Sequence, residues 1–114
     1  MEISEKFRQE IAPFCWSEYQ GTASVCLDAG FYLQQVWEDG GFEGSGYDWE
    51  SVARVFLEEK CPQLMGKFDF DSEAGMFCAY SKDKEALQEF ICSFRTACED
   101  QALMADLLSR AEPD

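Results

Sequence analysis

The sequence predicts an α+β fold in which a small antiparallel sheet is covered by helices on one face. The prediction rests on two strand-like pairs, near residues 20 and 73, and on the apolar stripes at helical spacing that follow each pair. Strands and helices are mixed without the βαβ rhythm of a parallel sheet. A length of 114 residues is typical of one domain, and we expect a single domain over residues 1–114.

The first strand pair is predicted at residues 14–19 and 22–27, joined by a turn at Gln20 and Gly21. A short apolar pattern at helical spacing precedes it and stops at Pro13. The second strand places three apolar residues on one face, namely Ala23, Val25 and Leu27. The two runs are therefore expected to form a hairpin.

Two helices and a glycine-rich loop are predicted next. Residues 31–38 have the apolar spacing of a short helix, and residues 39–46 contain four glycines without the Lys or the spacing of a phosphate-binding loop. We interpret this loop as a flexible connector whose glycines allow positive φ. Asp48 is the predicted N-cap of the following helix, with Trp49 at its first position and its end near Lys60.

The clearest strand signal is a second hairpin. Residues 67–71 alternate polar and aromatic side chains, residues 72–75 form a turn, and residues 76–80 form the return strand. The pattern Asp69-x-Asp71-x-Glu73 resembles the start of a calcium loop, but Ala74 and Tyr80 occupy its glycine and final acidic positions. We interpret these acids as a solvated hairpin edge, with a weak cation site as the alternative.

The C-terminal part predicts two helices. Ser81 or Asp83 caps the first, which reaches Cys98, and Asp100 caps the second at residues 101–109. The first carries the strongest amphipathic stripe of the chain, formed by Leu87, Phe90, Ile91, Phe94, Ala97 and Cys98. The three tryptophans are expected in the core, with exposed binding anchors as the alternative; they are Trp16, Trp37 and Trp49.

The charge of the chain bears directly on its partners. There are 23 Asp and Glu against 9 Lys and Arg, a formal net charge of −14, yet 46% of the residues are hydrophobic and 15% aromatic. A disordered acidic tail would be poor in aromatic residues, so a folded core with a negative surface is expected. Such a surface repels nucleic acid and attracts basic partners.

The cysteine and histidine content argues against an enzyme. The six cysteines include no Cys-x-x-Cys pair, and the chain has no histidine, the commonest general base and metal ligand. We expect reduced thiols and no metal or cofactor, with a cysteine- or carboxylate-based enzyme as a weaker alternative. Without a signal-peptide pattern or a membrane-spanning apolar run, a cytoplasmic location without membrane contact is expected.

Three segments resemble the immunity protein 51 family, a group of small bacterial proteins encoded beside polymorphic toxins. They are Gly-Tyr-Asp-Trp-Glu at residues 46–50, Phe-Asp-Ser-Glu-Ala-Gly-Met-Phe at residues 70–77, and Ala-Cys-Glu-Asp at residues 97–100. The resemblance covers roughly residue 14 to the end. It implies a non-enzymatic intracellular protein that binds a cognate toxin C-terminal domain and blocks it, and it assigns no contact residue.

The acidic composition extends this expectation to a mechanism. Toxins that attack nucleic acid need basic surfaces, so a basic nuclease is the favoured target and occlusion by acidic residues the favoured mechanism. The alternative is an acidic adaptor or nucleic-acid mimic with another target. The candidate partner-binding residues are the acids of the two loops, Asp39, Glu43, Asp69, Asp71 and Glu73.

Overall fold

The computed structural model describes residues 4–111, so the ends of the predicted domain, residues 1–3 and 112–114, lie outside it. The helices are α1 (Glu5–Ile11), α2 (Gln34–Asp39), α3 (Gly46–Lys60), α4 (Lys84–Cys98) and α5 (Gln101–Leu108). The strands are β1 (Cys15–Tyr19), β2 (Thr22–Asp28), β3 (Asp69–Phe70) and β4 (Met76–Ser81). A short 3₁₀ turn, Pro62–Leu64, separates α3 from β3.

The four strands form one antiparallel sheet in the order β1-β2-β4-β3. Alternate residues of the strands are buried beneath the helices, as a sheet covered on one face requires. The buried sheet positions are Trp16, Ala23, Val25, Leu27, Phe77 and Ala79. This arrangement confirms the predicted α+β class with helices on one face.

The first hairpin is confirmed, and its turn explains the register. Gln20 and Gly21 both have positive φ, 50° and 80°. Two such residues form a type I′ turn, whose twist matches the twist of the paired strands. The turn sets Tyr19 opposite Thr22 and Trp16 opposite Val25.

The second hairpin is shorter than predicted, because β3 contains only Asp69 and Phe70. The backbone groups of Lys67 are used elsewhere. Its N–H donates to the Leu64 carbonyl, and its own carbonyl accepts from the Ser81 hydroxyl at 2.7 Å. Lys67 is therefore bound to the 3₁₀ turn and to the end of β4 by groups that a strand would have used for its ladder.

The predicted boundary of α2 was also wrong. The helix begins at Gln34, not at residue 31, because Leu33 has a left-handed backbone with φ of 57°. Phe31 consequently lies outside the helix, and its side chain is 80% exposed.

The cap of α3 corrects a further prediction. Ser45 is the N-cap, not Asp48, and its hydroxyl accepts the Asp48 N–H at 3.1 Å. The Asp48 carboxylate accepts in return from the N–H groups of Ser45 and Gly44. The two side chains form a reciprocal capping box, with Asp in the position more often held by Glu or Gln. The loop before α3 is thus held by hydrogen bonds, and Gly41 and Gly44 have the positive φ expected of its glycines.

The remaining caps and the tryptophans follow the sequence. Asp83, one of the two predicted caps, accepts the Ala86 N–H at the start of α4, and Asp100 caps α5. All three tryptophans are buried, which confirms the core prediction. Trp49 lies at the centre of an aromatic cluster, and its ring contacts those of Phe14, Tyr32, Trp37, Phe77 and Phe94.

The start of α3 lies directly against the β3–β4 turn. The Gly46 N–H donates to the Ala74 carbonyl at 2.9 Å. A Cβ at Gly46 would lie far inside van der Waals contact with the backbone of Glu73 and Met76. Only glycine allows the helix to approach the hairpin this closely.

The variant Gly46→Ala should therefore lower the free energy of unfolding by about 2–3 kcal/mol, because backbone atoms must move to admit a methyl group. Gly75→Ala is the matched control: a Cβ there meets no atom within 4 Å, and we expect a change below about 0.5 kcal/mol. Urea unfolding followed by fluorescence measures both. Equal stability of the two variants would contradict the close approach.

Candidate partner-binding face

The sheet has one face that the helices leave uncovered. Its side chains alternate with the buried positions along each strand and are half-buried or exposed. We call this surface the open face; it is formed by Cys15, Ser17, Ser24, Cys26, Asp28, Asp69, Met76, Cys78 and Tyr80.

Three cysteines form a row across the open face. Cys15 lies opposite Cys26 in the β1–β2 register, and Cys26 lies opposite Cys78 in the β2–β4 register. The Cys26 thiol donates a hydrogen bond to the Cys78 sulfur at an Sγ–Sγ distance of 2.9 Å. The centre of the face is therefore built from small, polarisable side chains.

A groove of about 570 Å³ lies where β2 leaves the sheet. Its lining is mainly apolar and includes Cys15, Cys26, Phe31, Tyr32 and Met76. Phe31 stands at its rim with most of its ring in solvent. An apolar side chain of a partner that entered the groove would be removed from water, and this burial favours binding.

Tyr32 forms one wall of this groove, and three contacts hold its side chain in place. Its ring stacks on Trp49 with an interplanar angle of 3° and a centroid distance of 5.9 Å. Its hydroxyl donates to the Glu99 carboxylate at 2.7 Å, and the Arg95 guanidinium lies over the ring. Burial and the bond to Glu99 raise the pKa of Tyr32, so its hydroxyl stays a donor at neutral pH.

Carboxylates lie beside the row of cysteines, at the end of β2 and along the β3 edge. The Asp71 N–H donates to the Cys78 carbonyl at 2.9 Å, and the Glu73 N–H donates to the Met76 carbonyl at 2.8 Å. Asp71 and Glu73 both act electrostatically on the Cys78 thiol, and Asp28 acts on Cys26. The open face is thus a half-apolar surface with a negative rim.

Comparison with known families identifies the chain. The family model of immunity protein 51 matches residues 14–113. The chain belongs to the immunity protein 51 family. Comparison with curated proteins and with solved structures gives no match. Immunity protein families neutralise toxins and are in general not enzymatic, so membership implies a toxin-neutralising function with a cognate toxin as the partner.

The predicted contact residues of this immunity protein are all exposed, but they do not form one cluster. Asp69, Asp71 and Glu73 follow the β3 edge beside the open face. Glu43 lies in the loop that leads to α3, and its carbonyl accepts from the Gln34 amide. Asp39 ends α2 and lines a separate cleft against α5. The binding role of these five residues stays a prediction.

Sequence reasoning missed the apolar surface beside β2. Residues 31–38 were predicted as a helix, which gave no indication that Phe31 is exposed. Cys26 and Cys78 were expected only as reduced thiols, although their positions between the core residues of β2 and β4 place them on the opposite face. Strand alternation was the signal that could have found them.

Residues 4–111 contain neither a metal-binding cluster nor a membrane-spanning helix. No group of three or more His, Cys, Asp or Glu side chains there is arranged to hold a metal ion. None of the helices in the same residues has the length and apolar character needed to cross a membrane.

Phe31 contributes little to the core of this immunity protein, and Phe31→Ala should change the free energy of unfolding by less than about 0.5 kcal/mol. Phe77→Ala, which empties a fully buried site on the opposite side of the sheet, should cost about 3–5 kcal/mol. Thermal and urea unfolding of both variants test the contrast. A large loss in Phe31→Ala would mean that this ring is structural.

Proposed function

We propose that the chain is a single-domain immunity protein of the producing cell's cytoplasm. It binds the C-terminal domain of a cognate polymorphic toxin and occludes a basic active-site surface. The observation that carries the proposal is an uncovered sheet face, apolar at its centre and acidic at its rim, on a protein with a net charge of −14. A basic nuclease domain is the favoured target, because enzymes that act on nucleic acid present positive surfaces.

The acids of the rim are available to a partner. Five basic side chains of the described residues form ion pairs, and these pairs engage acids of the helices and of β1; they are Lys6, Arg54, Lys84, Arg95 and Arg110. None of the ion pairs within residues 4–111 includes Asp28, Asp71 or Glu73. A basic partner therefore gains their attraction without breaking an existing pair, and the resulting field speeds association.

In this proposal, apolar contacts beside the open face slow the dissociation of the complex. A stable interface buries about 800 Å² on each partner and depends on a few desolvated anchors, among which aromatic residues are enriched. Phe31 and the groove beside it offer an anchor of this kind on the described surface. The acidic edge from Asp69 to Glu73 borders the same surface, whereas Glu43 lies in the loop that leads to α3 and Asp39 lines a separate cleft.

Steric and electrostatic occlusion requires no catalytic group in the inhibitor.

The second candidate function, an acidic adaptor or nucleic-acid mimic with another target, would use the same carboxylates. Affinity capture from the source cell separates the two: recovery of the adjacently encoded toxin supports immunity, and recovery of a polymerase or a host nuclease in its place supports the adaptor.

Charge reversal of two acids of the acidic edge and of the loop residue Glu43 should weaken toxin binding. In the triple variant Glu43→Lys, Asp71→Lys and Glu73→Lys, we expect the association rate constant at low salt to fall roughly 10–100-fold. The dependence of this rate on salt should also become shallower, because fewer screened attractions remain. Stopped-flow mixing with the purified toxin domain at two ionic strengths measures both quantities.

The matched control reverses three exposed acids on the helices, Glu10, Glu58 and Glu89, and so makes the same change in net charge. This control should retain most of the association rate. If both triple variants lose rate equally, the overall charge matters and the placement of the interface on the acidic edge is wrong.

The apolar anchor makes a separate prediction. Phe31→Ala should raise the dissociation constant for the toxin roughly tenfold or more, mainly through faster dissociation. Met65→Ala removes another exposed large apolar side chain, but one that lines neither the open face nor the groove, and it should leave the constant within about twofold. Surface plasmon resonance measures both. An unchanged dissociation rate in Phe31→Ala would remove the groove from the interface.

A further inference from the structure

The structure also points to a chemical site in the middle of the open face. We propose that Cys26 and Cys78 are an oxidisable dithiol that closes to an intrachain disulfide when the protein meets a small-molecule disulfide such as oxidised glutathione. This reaction involves only the chain and a small-molecule disulfide, so it does not depend on the proposed toxin target.

The geometry of the pair is already close to that of the bond. Cys26 and Cys78 are direct partners in the antiparallel β2–β4 ladder. Directly opposed residues in such a ladder have Cα atoms about 4.5–5.5 Å apart, within the range of about 4.4–6.8 Å that disulfides occupy. The sulfur atoms, now 2.9 Å apart, need to approach by about 0.9 Å to reach the bond length of about 2.05 Å. Side-chain rotation can supply this without a change of register.

The pair also differs from the other cysteines in its surroundings. Cys61 and Cys98 are buried, Cys92 is half-buried on α4, and burial raises the pKa of all three thiols. The Cys78 sulfur instead accepts the hydrogen bond from Cys26, which lowers the pKa of Cys78 against the opposing effects of burial, Asp71 and Glu73. Because the thiolate is the reacting form, Cys78 is the attacking group.

The reaction is a two-step thiol–disulfide exchange. The Cys78 thiolate attacks one sulfur of oxidised glutathione, the S–S bond breaks, and one glutathione leaves with the proton that Cys78 lost. The Cys26 thiolate then attacks the Cys78 sulfur of the mixed disulfide and releases the second glutathione, which takes the proton of Cys26. Two protein thiols are oxidised and one oxidised glutathione is reduced to two thiols.

Cys15 is the competing partner for Cys26. It lies opposite Cys26 in the β1–β2 register and is exposed. Its thiol, however, donates weakly to the Pro13 carbonyl at 3.8 Å, whereas the short sulfur contact joins Cys26 to Cys78. We therefore assign the disulfide to β2 and β4, and a test must separate the two pairings.

The test uses the full reduced chain, treated with oxidised glutathione at pH 8 and then alkylated in denaturant, so that the buried Cys61 and Cys98 also react. The number of alkylated cysteines should fall from six to four, and the protein mass should fall by two hydrogens before alkylation. Cleavage after Lys and Arg places Cys15 and Cys26 in the peptide 9–54 and Cys78 in the peptide 68–82. The expected product is a reducible cross-link between these two peptides.

Single variants complete the assignment. Cys15→Ser should form the same cross-linked product, while Cys26→Ser and Cys78→Ser should not; circular dichroism checks that each variant is folded. A disulfide inside the peptide 9–54, a lasting glutathione adduct without a cross-link, or six alkylated cysteines after treatment would each overturn the proposal. Because these measurements need no toxin, their failure is distinct from a failure of the proposed function.

The stability of the oxidised protein gives a second readout. A bond that closes a long loop without distorting the native register should raise Tm by roughly 5 °C or more, and a reducing agent should reverse the rise. A lower Tm in the oxidised form would contradict the claim that the ladder already accommodates the bond.

Discussion

The start of α3 packs directly against the β3–β4 turn, and this contact positions the helix that carries Trp49 into the core. Gly46 lets the helix backbone reach the Ala74 carbonyl, and the Ser45–Asp48 capping box fixes the direction in which the helix leaves. Trp49 follows immediately and is carried to the centre of the aromatic core. Because α3 and α4 then cover the same side of β4 and β2, the opposite side of the sheet is left free.

This asymmetry is what makes the fold suitable for an inhibitor. One face of the sheet supplies stability through buried aromatic side chains, and the other supplies a surface whose side chains contribute little to folding. Residues such as Phe31 are consequently free to serve a partner. In the proposed complex, the negative rim would add long-range attraction, and the apolar groove would add contact that salt does not screen.

The sequence predicted the parts of the fold that depend on local patterns. The β1–β2 hairpin, the long stripe of α4 and the caps at Asp83 and Asp100 each carry their own signal within a few residues. The errors arose where hydrogen bonds from turns and side chains decide the boundary of an element. Lys67 leaves the strand because Leu64 and Ser81 take its backbone groups, and Asp48 serves the cap from inside the helix because Ser45 comes before it. The acids of the candidate site were visible as residue types, but the row of Cys15, Cys26 and Cys78 required the strand register.

The most direct test of the central claim is co-expression of this chain with the toxin domain encoded beside it, scored by cell survival and by co-purification at low and high salt. Immunity by binding through the proposed surface predicts survival together with a stoichiometric complex that high salt weakens and Phe31→Ala weakens further. Cell death with soluble protein and no complex would contradict immunity by binding. Survival with a complex whose affinity is indifferent to salt would retain immunity but reject the acidic surface as its means.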